Sequence, residues 1–269
     1  MKNLNQKVSV AIPTFNSSKY ILQCVKPILS SKFIDQIIIS DDFSSYTEFE
    51  ILKRNIEKIK YSTDKKIELF RNNENLGAFR NKYKCIDLCK NELIYQLDCD
   101  NIPQKNIDKV IEKIINIGET KYLYIPSKIY QFRKYQKTSK LMSNFNKKYI
   151  VKFSNTDDLI DFTKARDYYR NNTKYTIDKN LSWVLNLGNF FAYKSIYKMF
   201  NDHALYDKNI PLALDAVAIS YYYLQNKGSI KLLQNFSHFH RKRNDSVSFT
   251  SGDKSDESLK YFTNKFLST

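Results

Sequence analysis

Asp98 and Asp100 are the residues of this chain whose type and spacing are best suited to chemistry. They follow the apolar run at residues 93–97, and a proline comes three positions after Asp100. A short apolar run bounded in this way predicts a buried strand that ends at the two aspartates. Because side chains alternate along a strand, both carboxylates face the same side and repel each other unless a cation lies between them. A hard divalent cation also binds phosphate, so the pair predicts a metal–phosphate site.

Strands and helices alternate through the first half of the chain, and this arrangement would position the aspartates. Apolar runs predict strands, with helical periodicity between them, at residues 8–12, 37–39, 67–70, 93–97 and 122–125. The alternation is typical of an α/β fold with a mostly parallel sheet covered by helices on both faces. Ligands of such sheets bind beyond the carboxyl ends of the strands. Asn16, Asp42 and Asp98 each lie just beyond a predicted strand, so we expect them to converge.

Three local signals predict where helices bend, begin and end. Pro27 is expected to kink or shorten the first helix. Thr47 and Glu50 have the spacing of a capping box for the second helix. Gly228 is expected to stop the helical segment at residues 212–224.

The second half is less regular but carries further candidates. Asp215 lies near the start of the helical segment at residues 212–224, where a carboxylate also suits the helix dipole. His238 and His240 alternate with a phenylalanine and therefore face one side of a predicted strand. Trp183 and the Gly188-Asn189 pair are candidates for shaping a second pocket, although Trp183 is equally well explained as core.

The net charge of +16 implies a nucleic acid, an anionic membrane or a phosphorylated substrate as partner. Between Lys121 and Thr156 there is no acidic residue, and lysines and arginines interleave with tyrosines and phenylalanines. This mixture suits an anionic headgroup region, and a solvated basic loop explains it equally well.

Compartment signals are also readable in the chain. No apolar stretch of a secretory leader precedes the first strand, and no run is long enough to span a bilayer. The four cysteines do not form a secreted disulfide framework, and Cys85 and Cys89 are most simply small buried residues. We therefore expect a cytoplasmic protein, with a peripheral contact to the anionic inner face of the cytoplasmic membrane as one interpretation of the basic segment.

Four segments, in order, resemble the motifs of family 2 glycosyltransferases. They are the segments VSVAIPTFN at residues 8–16, IIISDDFSS at residues 37–45, NLGAFRN at residues 75–81 and DCD at residues 98–100. Beyond them, Asp215 stands in the place of the family's catalytic acidic residue, and His240-Arg241 is similar to its C-terminal segment. The resemblance implies the GT-A fold of nucleotide-diphospho-sugar transferases, with a mostly parallel central sheet flanked by helices. The chain departs from the pattern at Phe43, where a glycine is usual, and in a shorter stretch between Gly77 and Arg80.

The resemblance assigns the nucleotide sugar to one group of residues. Pro13, Thr14 and Asn16 would line the base and ribose pocket, and Arg80 would contact the nucleotide sugar. Asp42 would accept the N3–H of uracil, as an ionised carboxylate can. The alternative for Asp42 is that it caps the next helix.

The resemblance assigns metal binding and catalysis to a second group. Asp100 would bind Mn²⁺ or Mg²⁺ across the diphosphate, and Asp98 would hold the ribose or the metal. His240 would be a third metal ligand or diphosphate contact, with His238 as second choice, although a lone histidine is often structural. Asp215 would deprotonate the acceptor hydroxyl for attack with inversion, with nearby aspartates as substitutes, namely Asp202 and Asp207.

The implied function is a metal-dependent inverting glycosyltransferase of the hexosyltransferase type. It would move a sugar from a nucleotide-diphosphate donor, UDP-linked by preference, to a hydroxyl of a surface-glycan precursor such as lipopolysaccharide, capsule or a lipid-linked oligosaccharide. Two alternatives stay open: a sugar nucleotidyltransferase of similar fold, which would need a glycine-rich, lysine-containing loop after the first strand, and a basic nucleic-acid-binding module. We expect no nucleic-acid partner.

The resemblance also predicts the domain boundaries of the chain. Residues 1–244 are expected to form one domain, with a nucleotide-sugar-binding half at 1–103 and an acceptor-binding half at 104–244. Residues 245–269 would be a C-terminal tail, rich in serine, aspartate and lysine and mobile until Leu259.

Overall fold

A ten-stranded sheet organises the residues that the computed structural model describes, which are 5–132, 149–152, 159–171, 184–197, 207, 209–241 and 252–269. The strands are β1 (Val8–Thr14), β2 (Ile34–Asp41), β3 (Lys66–Arg71), β4 (Leu93–Gln96), β5 (Ile102–Pro103), β6 (Tyr122–Phe132), β7 (Tyr149–Lys152), β8 (Leu159–Ile160), β9 (Phe190–Tyr193) and β10 (Ser229–Arg241). The main path of the sheet runs β3-β2-β1-β4-β9-β6-β10-β5, β7 pairs with β6, and β8 pairs with β10. The predicted α/β class is confirmed.

The sheet is parallel where the strand–helix alternation predicts it. β1 pairs in parallel with β2 and β4, and β2 with β3. Beyond β4 the sheet becomes mixed, because β9 inserts antiparallel between β4 and β6 and then β10 returns parallel to β6. The carboxyl ends of β1, β2 and β4 therefore meet at one edge, as the positions of Asn16, Asp42 and Asp98 require.

Helices cover both faces of the sheet, and each face carries its own apolar cluster. Along β1, Val10 and Ile12 belong to one cluster and Ala11 to the other, which explains why the strand carries apolar side chains on both faces. One cluster contains residues of α1 (Ile21–Val25), α2 (Tyr46–Lys60) and α4 (Ile107–Ile117). The other contains residues of α3 (Ala78–Asp87), α5 (Phe162–Asn171), α6 (Lys194–Tyr197), α7 (Asp215–Gln225) and α8 (Gly252–Ser268). Cys85 and Cys89 are free and buried, as expected.

The helix signals near the N-terminus are partly confirmed. Pro27 shortens the first helix, because α1 ends at Val25 and a 3₁₀ turn, Lys26–Ile28, continues it. The predicted capping box of Thr47 and Glu50 is wrong. Ser45 caps α2 instead, since its Oγ accepts a hydrogen bond from Glu48 N at 3.4 Å.

Gly228 stops α7 for a different reason from the predicted one. The residue with left-handed backbone geometry is Lys227, at φ 61°, and not the glycine. A Cβ on Gly228 would lie 2.3 Å from Cδ1 of Tyr223. The glycine is therefore required by the close approach of this aromatic ring.

The expectation of a mobile tail until Leu259 is wrong where the structure describes it, because α8 begins at Gly252. Phe262 and Phe266 are fully buried against Tyr221 of α7. The hydroxyl of Ser258 accepts a hydrogen bond from Leu214 N at 3.2 Å and donates one to Pro211 O at 2.8 Å. The helix thus holds the segment that leads into α7.

Several sequence candidates lie outside the described residues, namely Trp183, Asp202 and most of the basic stretch from Lys121 to Thr156. In the part of the chain that the structure does describe, none of the helices combines the length and apolar character needed to cross a bilayer.

Candidate functional site

The loops after β1 and β2 are joined by hydrogen bonds at the carboxyl edge of the sheet. Asn16 N donates to Ser44 Oγ at 2.8 Å, and Ser45 N donates to Asn16 Oδ1 at 3.1 Å. Asn16 has a left-handed backbone, at φ 44°, which asparagine tolerates better than most residues. Asp42 N also donates to Thr14 O at 2.8 Å. The first two motifs therefore form one connected unit, as their positions after neighbouring strands predict.

Asp42 organises the start of α3. Its Oδ1 accepts hydrogen bonds from Asn72 Nδ2 and Leu76 N, both at 2.8 Å, and its Oδ2 accepts one from Gly77 N at 2.9 Å. A carboxylate offers about four acceptor positions, so these bonds leave about one on Oδ2. The capping alternative does not hold for the next helix, α2, which Ser45 caps, and Asp42 instead holds the loop that leads into α3. The role of Asp42 towards a base stays a prediction.

Three other predicted nucleotide-site residues lie near this edge. Pro13 is part of β1 and half-buried. Thr14 is 4% exposed, and its Oγ1 has no hydrogen-bond partner among the described residues. Arg80 extends from α3 to the second half of the chain, where its Nη2 donates to Asp207 O at 2.9 Å. Of this group, Thr14 offers the unused polar atom.

Lys82 lies between the two aspartates that the sequence places far apart. Its Nζ is 2.8 Å from Asp98 Oδ1 and 2.5 Å from Asp215 Oδ2. The lysine side chain is 6% exposed, whereas those of Asp98 and Asp215 are 28% and 20% exposed. The structure therefore brings the D-x-D segment and the start of α7 together through one buried ammonium group.

In the triad formed by Lys82, Asp98 and Asp215, the charges shift the pKa values of Lys82 and Asp98. Burial alone would lower the pKa of Lys82, but the carboxylates of Asp215 and Asp98 raise it above its ordinary value. For Asp98, burial raises the pKa and Lys82 lowers it, and Asp215 and Asp100 raise it again, to about 6. The triad carries one net negative charge when both carboxylates are ionised, and Asp98 takes up a proton just below neutral pH.

Gly188 and Asn189 close over the triad. A Cβ on Gly188 would lie 2.3 Å from Asp98 Oδ2 and 2.9 Å from Lys82 Nζ, so a larger residue there would displace these two side chains. Asn189 Oδ1 accepts a hydrogen bond from Asp98 N at 2.7 Å, and its Nδ2 lies 3.5 Å from His238 Nε2. The segment expected to shape an acceptor pocket thus contacts Asp98 directly.

The predicted metal ligands fit a divalent cation only in part. Within the described ranges, no group of three histidine, cysteine, aspartate or glutamate side chains is placed to hold a metal. Lys82 Nζ contacts Oδ1 of Asp98 and Asn101 Nδ2 donates to its Oδ2 at 3.5 Å, so a cation would compete with both, and the metal role of Asp98 stays a prediction. Asp100 and His240 are close enough to interact, and burial lowers the pKa of His240 although the charge of Asp100 raises it. A neutral imidazole and a carboxylate are suitable metal donors, so these two residues fit.

His238 lies buried beside His240 and Asn189. It is completely buried, and burial, followed by repulsion from His240, lowers its pKa to about 3. The two imidazole rings are neighbours, with centroids 6.4 Å apart, as their shared face predicts. A neutral ring in contact with Asn189 supports the segment beside Asp98 and makes His238 the weaker of the two candidate ligands.

Arg241 fixes the D-x-D loop to the end of β10. Its Nε donates to Asp100 O at 3.0 Å, and its main-chain N donates to Asn101 Oδ1 at 3.0 Å. Its Nη2 donates to Gln23 Oε1 at 2.6 Å, and the guanidinium lies 4.4 Å from the ring centroid of Tyr20. Arg241 therefore positions Asp100, although the two residues are 141 positions apart in the sequence.

Lys82 is a residue of the candidate site that the sequence did not predict. A signal for it exists, because Lys82 lies three residues after Phe79 and four before Ile86, on the buried side of α3. A lysine on an apolar helical stripe requires a charged partner within the fold.

Comparisons with known proteins agree with this geometry. A family model described as glycosyl transferase family 2 matches residues 9–185. Glycosyltransferase GlyG of Streptococcus pneumoniae serotype 4 is 28% identical over 105 residues, which are 39% of this chain and 33% of that protein. Chondroitin synthase of Escherichia coli is 32% identical over 98 residues, which are 35% of this chain and 13% of that protein. The matched part of the chain thus spans a third or less of these curated relatives.

Solved structures share the fold at low sequence identity. S. aureus TarS 1–349 in complex with UDP-GlcNAc superposes with a TM-score of 0.57 at 16% identity, over 90% of this chain and 61% of that chain. GalNAc-T7 with UDP, GalNAc and Mn²⁺ superposes with a TM-score of 0.58 at 15% identity, over 89% of this chain and 44% of that chain. Because the family match spans well over half of the chain and its motifs meet at one edge of the sheet, the chain belongs to glycosyl transferase family 2 and has the GT-A fold.

Proposed function

We propose that this protein transfers a sugar, with inversion, from a nucleotide-diphosphate donor to a hydroxyl group of a glycan. One observation carries the proposal: Lys82 holds Asp215, from the second half of the chain, against Asp98 at the strand-end edge. This places a carboxylate suited to proton abstraction beside the region where the family motifs meet. Family membership favours sugar transfer over nucleotidyl transfer and over nucleic-acid binding.

Asp215 acts as the general base in this proposal. It takes the proton of the acceptor hydroxyl as the hydroxyl oxygen forms a bond to the anomeric carbon. On the opposite side of that carbon the bond to the diphosphate oxygen breaks, and its electron pair leaves with the nucleoside diphosphate. Lys82 keeps Asp215 oriented, and Gly188 leaves the space that this arrangement needs.

Donor binding is assigned to the edge formed by the first two loops. Pro13, Thr14 and Asn16 contact the base and ribose, and the unpaired Thr14 hydroxyl supports this because a buried hydroxyl benefits from a ligand partner. Asp42 offers its remaining acceptor position to the N3–H of uracil, which is why we favour a UDP-linked sugar. Arg80 is placed on the same side, at the start of α3.

A divalent cation, Mn²⁺ or Mg²⁺, is proposed to be held by Asp100 and His240. When bound, it would stabilise the negative charge that develops on the departing diphosphate. Arg241 keeps Asp100 in place for this role through its bond to the Asp100 main-chain oxygen. Asp98 contributes through its contact with Lys82 or towards the ribose.

The acceptor is proposed to be a surface-glycan precursor such as lipopolysaccharide, capsule or a lipid-linked oligosaccharide. The basic, aromatic stretch between Lys121 and Thr156 favours transfer at the inner face of the cytoplasmic membrane, by peripheral contact. Sedimentation with anionic and neutral liposomes at low salt tests this part. Equal sedimentation with both would contradict it.

The base assignment is tested with Asp215→Asn. A thermal-shift screen of nucleotide sugars with Mn²⁺ first identifies the donor, and transfer or donor hydrolysis is then measured. The variant should bind the donor as the wild type does and lose about 10²–10⁴-fold in rate, the usual contribution of a general base. Asp256→Asn, on the exposed side of α8, is the matched control and should keep full activity. Normal turnover by Asp215→Asn would place the base elsewhere.

The metal assignment is tested separately with Asp100→Ala. This variant should lose Mn²⁺-dependent binding of UDP, as measured by calorimetry with and without the metal. Unchanged metal-dependent binding would remove Asp100 from the proposed ligand set.

A further inference from the structure

A second cleft lies on the other side of β10 from the histidine pair. It has a volume of about 530 Å³, which is within the range of ligand-binding clefts. Residues of α4 and of the turn before it line the cleft together with residues of β6 and β10. Ser237 and Phe239 contribute to it, whereas His238 and His240, which alternate with them, face the candidate active site.

The charges of α4 are segregated with respect to this cleft. Lys105, Lys109 and Lys113 line it and are exposed. The acidic residues of the same helix are engaged elsewhere: Asp108 accepts a hydrogen bond from Lys32 N at 3.2 Å, and Glu112 forms an ion pair with Lys32 Nζ at 2.8 Å.

The charge of the cleft itself is therefore one-sided. The side chains that line it include no carboxylate. Within the described residues, none of its three lysines forms an ion pair. Lys109 and Lys113 lie one turn of α4 apart, roughly 6 Å, and Lys105 lies in the turn before the helix, so the cleft presents a group of positive charges.

The remaining lining combines aromatic rings with amide groups. Tyr130 and Phe239 stack with centroids 5.0 Å apart at an interplanar angle of 23°, and both are half-buried. Gln104 is fixed in place, because its Oε1 accepts from Ser237 N at 2.6 Å and from Ser237 Oγ at 3.1 Å. Asn235 holds a left-handed backbone at φ 67° at the rim. Aromatic rings pack against the C–H face of a sugar ring, and amides hydrogen-bond its hydroxyl groups.

We propose that this cleft binds an anionic glycan, a sugar chain with carboxylate or phosphate groups, at a distance from the reacting hydroxyl. The lysines recognise the negative charges, and the aromatic pair and amides recognise the sugar rings. We also assign this glycan to the part of the acceptor that lies away from the reacting hydroxyl, and this assignment rests on the proposed function. The binding itself does not, because it requires neither donor nor metal.

The shape and lining of the cleft favour a glycan over other anionic partners. A membrane surface requires a flat or protruding patch, whereas these aromatic rings are half-buried inside a concave site. Single-stranded nucleic acid requires a series of aromatic rings on which successive bases stack, whereas the lining of the cleft offers one aromatic pair beside its lysines.

The test measures binding of a fluorescent oligogalacturonide to the full chain by anisotropy. A neutral malto-oligosaccharide of the same length, oligo-dT and phosphatidylglycerol vesicles are the comparison probes. The triple variant Lys105→Gln, Lys109→Gln, Lys113→Gln should bind the anionic glycan about tenfold more weakly, because each exposed ion pair contributes little alone. Tyr130→Leu should weaken binding severalfold without changing its salt dependence. The control removes the same charge from α8 and should change affinity less than twofold: Lys254→Gln, Lys260→Gln, Lys265→Gln.

Three results would overturn the inference. The first is no binding of the wild type to the oligogalacturonide. The second is an equal loss in both triple variants, which would indicate net charge alone. The third is tighter binding of oligo-dT or vesicles that is lost in the cleft variant, which would assign the cleft to nucleic acid or membrane. The cleft variant should hydrolyse the donor at the wild-type rate. Failure of this inference would therefore leave donor hydrolysis intact, whereas failure of the proposed function would remove it from the wild type as well.

Discussion

Replacing Lys82 by methionine should destabilise the protein strongly, because it removes the only charge that separates Asp98 from Asp215 in the triad. Methionine fills a similar volume, so the loss is electrostatic and not a matter of packing. The lysine side chain is 6% exposed, so water contributes little to the solvation of its ammonium charge in the folded protein.

The distances set the magnitude. At an effective permittivity of about 20, unit charges 2.8 Å and 2.5 Å apart attract by about 6 and 7 kcal/mol. Burial of the ammonium group and repulsion between the carboxylates offset much of this, and removing one partner of a buried pair costs about 3–5 kcal/mol. Because Asp98 and Asp215 are 28% and 20% exposed, water can partly replace the lysine. We expect the free energy of unfolding at pH 7.5 to fall by about 2–4 kcal/mol.

The pH dependence gives this prediction a sign. The pKa of Asp98 is raised to about 6 in the folded protein. The protonated form of Asp98 therefore stabilises the fold in acid, and this contribution to the free energy of unfolding is lost as pH rises through 6. Without Lys82 that pKa rises further, and protonation then relieves the unpaired carboxylate. The destabilisation caused by Lys82→Met should therefore be smaller at pH 5 than at pH 7.5.

The assay is urea denaturation of both proteins at the two pH values. Lys84→Met, an exposed lysine two positions further along α3, is the control and should change stability by less than about 0.5 kcal/mol. Adding Asp98→Asn to Lys82→Met should recover part of the loss, because one unpaired carboxylate is removed. A Lys82→Met protein as stable as Lys84→Met at pH 7.5 would refute the triad.

Three further substitutions test the arrangement around the triad and its loops. Gly188→Ala should lower the unfolding free energy by about 1–3 kcal/mol and lower activity, because its Cβ would push the side chains of Asp98 and Lys82 out of their contact. Gly252→Ala, whose Cβ meets nothing within 4 Å, should be neutral. Asp42→Ala should lower the unfolding free energy by about 1–3 kcal/mol in thermal denaturation, because the half-buried donors Leu76 N and Gly77 N lose their acceptor, and full stability would exclude this role in the loop before α3. Arg241→Lys should weaken Mn²⁺-dependent UDP binding, because lysine cannot reproduce the fixed guanidinium contacts, whereas Arg54→Lys on the surface should leave binding unchanged.

The parallel part of the sheet can be predicted from the sequence because the patterns that specify it lie within short segments of the chain. Apolar runs and helical periodicity specify β1 to β4 and the helices between them, and the sheet edge then follows from geometry. The convergence of Asn16, Asp42 and Asp98 required only this topology.

The partners of the site residues were not predictable in the same way. Lys82 reaches Asp215 across 133 positions of sequence, and Asp42 is satisfied by main-chain donors that carry no side-chain signature. Spacing within a strand cannot show that an aspartate faces an ammonium group instead of a metal. The Thr47–Glu50 pair shows a related limit, because Ser45 satisfies the same helix end two residues earlier.

The C-terminal helix has a practical consequence for protein engineering. The Ser258 hydroxyl forms hydrogen bonds with the main chain of residues 211 and 214, in the segment that leads into Asp215. Phe262 and Phe266 pack against the ring of Tyr221. A truncation before α8 would therefore remove both a layer of the core and the anchor of the proposed base. Fusions and affinity tags should be attached so that this helix stays intact, since the sequence that resembles a disposable tail serves as part of the scaffold of the active site.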